Sequence, residues 1–258
     1  MSKNIVSRRL SVHKEHEVLL KLEAAGFGDP EAQAIVESQG NELAIKTVAY
    51  IRRGGYEATT SQRLARGIMG ENFLGVEEAS QHFGVRFGGE ELVRFDEILF
   101  PEAVLKECKD THILFVGFPL TILDVRSKVS RDLFWQHASA WYNNQAFAKT
   151  DRVRLRWYLI RKDIVPGSTN EIYQEQLAML SEDEEVPRAC EVVYMTILYF
   201  LATGTRLFEN IYARCQDETR HGTRIRVSFF REGGLAVDQW LDDADHRTGV
   251  AASRKIPS

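Results

Sequence analysis

The spacing of apolar residues changes once along the chain, near residue 100. Before that point apolar residues recur three and four positions apart, as Val18, Leu19 and Leu22 do in the segment from Lys14 to Ala25. This spacing places them on one face of a helix. Helix caps and glycines separate successive segments, one example being Asp29-Pro30. The pattern predicts an all-helical module in residues 1–100.

The helices predicted in this module are short and follow one another closely. They run from Lys14 to Ala25, from Asp29 to Gly40, from Asn41 to Gly54-Gly55, from a cap at Thr59 to Ser61 through Met69, from Gly75 to Phe83, and from Glu90 to Ile98. Connections of this length predict a compact arrangement.

After Thr111 the apolar residues come in runs and in alternation. The run from His112 to Phe118 predicts a buried strand, and the alternation from Val153 to Ile160 predicts a half-buried one. Ser168 or Thr169 is the predicted cap of a helix. The apolar stretch from Pro187 to Phe200 spans about four helical turns, and Arg206 to Cys215 is predicted to form another short helix. The expected fold class is α+β, with a mixed domain in residues 101–258.

The C-terminal tail, Arg224 to Lys255, is predicted to be β-structure. An alternating strand begins it, Gly233-Gly234 makes a turn, and a second strand ends near Trp240. A polar segment then leads to a small apolar strand, Gly249 to Ser253. Apolar framework positions alternate here with chemically unrelated polar residues, which is typical of a binding surface.

Charge and composition narrow the classes of function. The net charge is -4 and the pI is about 6.0, so no overall positive field attracts nucleic acid or lipid. The chain has no run of 18 apolar residues and its start is polar, so neither a membrane span nor an export signal is expected. The cysteines Cys108, Cys190 and Cys215 lack C-x-x-C spacing. They predict reduced thiols in a cytoplasmic protein.

The segment from Val186 to Cys215 carries a resemblance to a known fold. An apolar helix ends there in the motif T-G-x-R-L, formed by Thr203, Gly204, Arg206 and Leu207. This resembles the formylglycine-generating-enzyme branch of the C-type-lectin-like fold, although Phe208 and Glu209 stand where that branch has Pro-Thr. The resemblance implies an aromatic helix after the turn. The branch's catalytic cysteine pair is missing from the tail, so no enzymatic activity is implied.

The tail itself is similar to the C-termini of the target proteins of bacterial diversity-generating retroelements. These proteins display variable residues on a C-type-lectin-like fold and bind ligands without catalysis. The resemblance implies that Leu235, Val237 and Gly249 are framework. The implied binding surface consists of Ala236, Asp238, Gln239, Trp240, Ala244, Asp245, His246, Arg247 and Thr248.

Two versions of this hypothesis are open, a diversified target protein and a fixed relative. Mutagenesis directed at the adenines of asparagine codons does not readily produce Gln239 or Trp240, which favours the fixed relative. The chain as a whole resembles an uncharacterised bacterial family. The expected ligand is a protein or a small molecule, with Trp240 as an aromatic anchor and Asp238, His246 and Arg247 giving polar specificity.

The remaining motifs each allow a functional and a structural interpretation. The acidic positions Asp238, Asp242, Asp243 and Asp245 could hold calcium, but a solvated acidic turn is favoured. The aromatic segment from Leu133 to Ala148 could hold a sugar or a flat ring, but packing between the two domains is favoured. No cofactor motif and no metal-ligand spacing is recognised.

The N-terminal helices suggest a different class of function. The residues from Ser61 to Val85 match the spacing of a helix-turn-helix, and Arg52, Arg53, Arg63 and Arg66 add positive charge. Glu71, Glu77 and Glu78 would face the phosphates, so nucleic acid is not the expected partner. An adaptor or dimerisation module is the preferred alternative, and an enzyme of unknown chemistry is the other.

Overall fold

The computed structural model describes residues 10–52, 59–136, 139–241 and 243–256. The chain divides into two compact units, Met1–Tyr56 and Glu57–Ser258. Both helices and strands are well represented, so the α+β class is confirmed. The predicted end of the third helix at Gly54-Gly55 lies outside the described residues.

The first unit contains three helices in its described part. They are α1 (Val12–Ala24), α2 (Asp29–Glu37) and α3 (Glu42–Arg52). The Ser11 hydroxyl caps α1 by accepting a hydrogen bond from the Lys14 amide at 3.3 Å. None of the described residues of α1 and α2 is buried. Apolar side chains such as Val18 and Leu19 are exposed.

The described part of the second unit combines helices with three sheets, two of them large. Its helices are α4 (Gln62–Met69), α5 (Val76–Phe83), α6 (Gly89–Phe95), α7 (Glu102–Cys108), α8 (Ile122–Lys128), α9 (Ala146–Lys149), α10 (Tyr173–Ala178) and α11 (Ala189–Thr203). Its strands are β1 (Thr60–Ser61), β2 (Phe73–Leu74), β3 (Glu97–Ile98), β4 (His112–Val116), β5 (Trp157–Arg161), β6 (Glu184–Glu185), β7 (Tyr212–Glu218), β8 (Arg224–Arg231), β9 (Gly234–Trp240), β10 (Thr248–Val250) and β11 (Ser253–Arg254). Strands β1 and β3 form a two-stranded sheet.

The first large sheet has the strand order β2-β4-β5-β11-β6 among the described residues. Strand β4 of this sheet is buried along its whole length, and it pairs antiparallel with β5 and parallel with β2. Strand β2 comes from the region predicted to be a separate helical module. The rings of Phe73 and Phe95 also pack on Trp157, with centroids 5.5 and 5.7 Å apart.

The observed boundary between the two units lies between Tyr56 and Glu57, whereas the sequence predicted a boundary at residue 100. Residues 57–100 share a core with the rest of the second unit, because β2 extends its sheet and the aromatic rings pack on β5. The helical spacing of residues 57–100 correctly predicts α4, α5 and α6, but it indicates neither strands β1, β2 and β3 nor the core that these residues join.

The second sheet, with the order β10-β7-β8-β9, carries the C-terminal tail. Helix α11 contacts β7 and β8 of this sheet and also β2 of the first one. Its residues from Ala189 to Tyr199 are all buried, as expected for a helix that is apolar all round. The helix ends where Gly204 adopts a left-handed conformation with φ 75°.

Three local predictions are wrong or only partly right. The helix predicted from Arg206 to Cys215 is wrong, because Tyr212–Glu218 is strand β7, paired with both β8 and β10. The strand predicted from Val153 begins only at Trp157, and it is buried on both faces. Helix α10 begins after Ile172 instead of Ser168, whose hydroxyl accepts a hydrogen bond from the Val250 amide. In each case pairing or packing with another segment outweighs the local pattern, and for β7 that segment includes its own hairpin partner β8.

Within the described part of the chain, no helix has both the length and the apolar character needed to cross a membrane.

The buried His112 predicts that the fold loses stability in acid. Burial in β4, assisted by the charge of Arg161, lowers the pKa of His112 from 6.5 to about 4. The unfolded chain therefore binds this proton at a higher pH than the native state does. The stability contributed by the neutral imidazole is complete above the unfolded pKa and is lost as the pH falls toward 4. We expect His112→Gln to abolish about 2–3 kcal/mol of the difference in unfolding free energy between pH 7 and pH 4.

Urea unfolding across that pH range measures the effect. His221→Gln is the matched control, because His221 lies exposed in the turn between β7 and β8. A His112→Gln protein with the pH dependence of the wild type would contradict the prediction.

Candidate functional site

Strand β9 lies at the edge of the second sheet and presents two different faces. Leu235 and Val237 are buried on one side, whereas Ala236, Asp238 and Trp240 are partly exposed. The alternation follows from the pleat, which sends successive side chains to opposite faces. The polar face of β9 is the starting point for the site.

Several of the predicted binding residues contact the buried guanidinium of Arg226 in β8. Only 5% of Arg226 is exposed. Its Nη2 lies 3.0 Å from Asp238 Oδ2, and its Nη1 lies 2.9 Å from Asp245 Oδ2 and 2.8 Å from Thr248 Oγ1. A buried guanidinium requires such partners, since an unpaired buried charge costs several kcal/mol.

Aromatic rings stack on the same guanidinium. Arg226 Cζ lies 4.0 Å from the ring centroids of both Tyr212 and Trp240. Tyr212 also stacks on Phe229, with centroids 5.0 Å apart, and Arg231 Cζ lies 4.2 Å above Phe229. Because one ring face accommodates one stacked partner, these five side chains form a single column. Trp240 therefore covers Arg226 with one ring face, while the residue remains partly exposed.

A β-bulge places Phe229 in this column. The register shifts between Ser228 and Arg231, so that β8 has one more residue than β9 over this stretch. Ser228 and Phe229 have positive φ values of 116° and 57°. Bulges of this kind redirect a side chain, and here the redirected ring lies on Tyr212.

The loop from Leu241 to Arg247 supplies acceptors to two buried arginines, while Asp243 itself is exposed, as expected for a solvated acidic turn. Besides Asp245, the Asp243 carbonyl accepts a hydrogen bond from Nη2 of the fully buried Arg214 at 3.1 Å. Burial alone would raise the pKa of Asp245, but hydrogen bonds from Thr248 and the Arg247 amide, with the charge of Arg226, bring it below its usual value. Asp242 lies outside the described residues.

The predicted binding surface thus divides into three groups. Ala236 and Asp238 line a cavity. Trp240, Asp245 and Thr248 are engaged with Arg226, and Thr248 is completely buried. The exposed members are Gln239, Ala244, His246 and Arg247. Of these, Arg247 Nε donates to His246 Nε2 at 3.1 Å, and His246 Nδ1 lies 3.4 Å from Asp245 Oδ1.

The cavity has a volume of about 530 Å³, which is within the range of small-molecule sites. Aromatic side chains dominate its walls, and the polar groups are few. The lining residues are Trp135, Gln136, Ala140, Trp141, Tyr142, Tyr212, Phe229, Arg231, Gly233, Gly234, Ala236, Val237 and Asp238. Burial raises the pKa of the Tyr142 and Tyr212 phenols, so both are neutral at neutral pH.

The aromatic segment predicted to pack between domains instead runs along the exposed edge of β9, within the second unit. The Trp135 amide donates to the Leu235 carbonyl at 3.0 Å, and the Trp141 indole donates to the Val237 carbonyl at 2.8 Å. These bonds satisfy backbone groups that an edge strand leaves unpaired. Residues 137–138 of the segment lie outside the described part.

Close contact between this segment and the hairpin explains the glycine pair. A Cβ atom at Gly234 would lie 2.7 Å from the Asp132 carbonyl oxygen, and the φ of Gly234 is +96°. A Cβ atom at Gly233 would lie 3.1 Å from the Trp135 ring. The turn therefore requires glycine for both conformation and space.

Sequence reasoning missed much of the cavity wall. Tyr212, Phe229 and Arg231 were not candidates, and Trp135 and Trp141 were assigned to a domain interface. The density of aromatic residues from Phe134 to Phe147 was the available signal. No local pattern indicated that this segment pairs with β9.

The predicted helix-turn-helix has a different geometry. Strand β2 lies between α4 and α5 and pairs with β4. Arg66 forms ion pairs with Glu78 at 2.6 Å and Glu77 at 3.4 Å. The connection thus belongs to a sheet, and the positive charge of Arg66 is neutralised. Arg53 lies outside the described residues.

The cysteines are free and buried. Burial raises the pKa of Cys108 to about 11 and raises the pKa values of Cys190 and Cys215 as well. All of these thiols are protonated at neutral pH, which makes them poor nucleophiles.

Among the described residues, no group of three or more His, Cys, Asp or Glu side chains is placed to bind a metal ion.

No protein-family model, no curated protein and no solved structure matches this chain.

The Arg226 network predicts a large loss of stability when its cation is removed. Arg226→Met leaves Asp238 and Asp245 without their shared ion-pair partner. It also removes the guanidinium that stacks on the rings of Trp240 and Tyr212. We expect the free energy of unfolding to fall by about 3–5 kcal/mol, as measured by urea denaturation. Adding Asp238→Asn and Asp245→Asn should restore part of the loss, because the unpaired carboxylates are then gone.

The control for this experiment is Arg220→Met, since Arg220 is exposed in the turn between β7 and β8. Equal stability of the Arg226→Met and Arg220→Met proteins would show that the network does not hold the sheet.

Proposed function

We propose that this chain is a non-enzymatic recognition protein that binds a small molecule, or a side chain of a protein partner, in the cavity beside β9. The observation that carries the proposal is the cavity itself, with aromatic walls and few polar groups. Such a combination is typical of sites that hold a ligand by shape and stacking. The charged groups at the site support binding rather than chemistry, because Asp238 is committed to Arg226.

We also propose that the second unit is a relative of the C-type-lectin-like proteins. The succession of α11, the left-handed turn at Gly204 and a terminal sheet formed by the tail supports this proposal. Residues 206–215 depart from it, because they form a turn and part of β7 instead of the aromatic helix that the resemblance implies. The buried, protonated thiols support a cytoplasmic location.

Within this proposal, a fixed relative is favoured over a diversified target protein. Asp238, Trp240, Asp245 and Thr248 all contact Arg226. Replacement of Asp238 or Asp245 would remove a counter-ion of the buried Arg226, and replacement of Trp240 or Thr248 would remove a stacking ring or a hydrogen-bond acceptor. A variable surface is built from positions that tolerate replacement, and these four positions do not.

Gene neighbourhood tests the choice between these two versions. We expect no reverse-transcriptase gene with an imperfect copy of the tail-coding sequence beside this gene. Such a pair, with substitutions concentrated at adenines, would overturn the fixed version and leave the cavity as a binding site.

Trp135 is the residue to test for binding in the cavity. Its side chain is 55% exposed, so its removal should disturb the fold little. Ligand-observed NMR with a library of planar aromatic compounds and simple sugars identifies binders of the wild-type protein. We expect Trp135→Ala to weaken these binders about tenfold or more, since stacking and apolar contact are lost.

Leu99→Ala is the matched control, because Leu99 is similarly exposed in the same unit and does not line the cavity. The proposal is wrong if the library yields no binder, or if binders keep their affinity for the Trp135→Ala protein.

A further inference from the structure

We infer that the cavity accepts a flat aromatic carboxylate, whose ring lies against the tryptophan-lined wall and whose carboxylate pairs with Arg231. This inference rests on the proposed function and adds the chemical class of the ligand. It follows from three features of the cavity: the position of Arg231, the balance of charge on the walls, and the way in which the aromatic rings are presented.

Arg231 is held in place without being neutralised. Its guanidinium stacks on Phe229, its Nε donates to the Glu209 carbonyl at 3.1 Å, and its Nη2 donates to Asn210 Oδ1 at 2.6 Å. Both acceptors are uncharged, and within the described part of the chain Arg231 forms no ion pair. Its planar fork is therefore positioned in the cavity wall with donor capacity remaining at Nη1.

The charges on the cavity wall favour an anion. Arg231 and Asp238 are the charged side chains of the lining, and Asp238 is already paired with Arg226. Asp238 shares Arg226 with Asp245, whereas Arg231 is exposed and forms no ion pair within the described part of the chain. Arg231 is therefore the lining cation that can pair with an anionic ligand. Glu209 and Glu232 line a separate depression that Arg231 also borders, and neither forms an ion pair with it in the described structure.

The aromatic rings are presented in a way that suits the same ligand. Both faces of Tyr212 and Phe229 are occupied within the stacked column, so these rings turn their edges to the cavity. Ring edges carry the positive part of the aromatic quadrupole and favour carboxylate oxygens over cations. Trp135, by contrast, has exposed ring surface on which a flat ligand can lie. A planar guanidinium matches a carboxylate in geometry as well as charge.

Three probes that share one ring system test the inference on the full chain. They are 2-naphthoate, which is anionic, 2-naphthamide, which is neutral and of nearly the same shape, and 2-naphthylmethylammonium, which is cationic. Calorimetric titration at low ionic strength measures their affinities. We expect 2-naphthoate to bind about tenfold more tightly than 2-naphthamide, and the cation to bind most weakly.

Variants at Arg231 test whether this side chain causes the preference for 2-naphthoate over 2-naphthamide. Arg231→Gln should make the naphthoate and naphthamide affinities equal, and Arg231→Lys should retain part of the preference because the charge remains without the planar fork. Arg220→Gln, at an exposed arginine outside the cavity, should leave the preference unchanged. Trp135→Ala should weaken all three probes together.

The outcomes separate the inference from the proposed function. Equal affinities of the wild type for naphthoate and naphthamide, or a preference that survives in Arg231→Gln, would overturn the carboxylate inference and leave the cavity as a binding site. Failure of all three probes to bind the wild type would overturn the cavity as a site for flat aromatic ligands.

Discussion

A buried guanidinium is the constraint on which the second sheet depends. Arg226 is almost completely removed from water, and such a charge is tolerated only with close counter-ions and hydrogen-bond acceptors. Asp238 supplies one counter-ion from the neighbouring strand, and Asp245 supplies the other from the loop that follows it. Stacking on Tyr212 extends the same interaction to β7. One charge therefore fixes three strands and a loop relative to one another.

The cavity follows from this network together with a second constraint, the open edge of β9. The bulge in β8 places Phe229 on Tyr212 and Arg231 on Phe229, which forms one wall. The segment containing Trp135 and Trp141 binds the exposed backbone of β9 and forms the other. The space between these walls is lined by aromatic rings and by a cation held in a defined position.

Several features of the fold could be predicted because they depend on neighbouring residues. The α+β class, the hairpin with its turn at Gly233-Gly234 and the long apolar helix follow from spacing and turn chemistry. The predicted helix from Arg206 to Cys215 was wrong for the opposite reason. Its C-terminal half becomes a strand because it pairs with β8 across a short turn and with β10, which is about 35 residues away in the sequence.

The sequence by itself determined which residues of the tail point to one face and which to the other, because a strand's side chains alternate by local geometry alone. It did not determine what that polar face does. Asp238, Trp240, Asp245 and Thr248 looked like a surface for a partner, and the tertiary structure directs them to Arg226. That assignment depends on which strands pair and on where a buried charge finds its counter-ions. Those energies arise between segments that meet only when the chain folds.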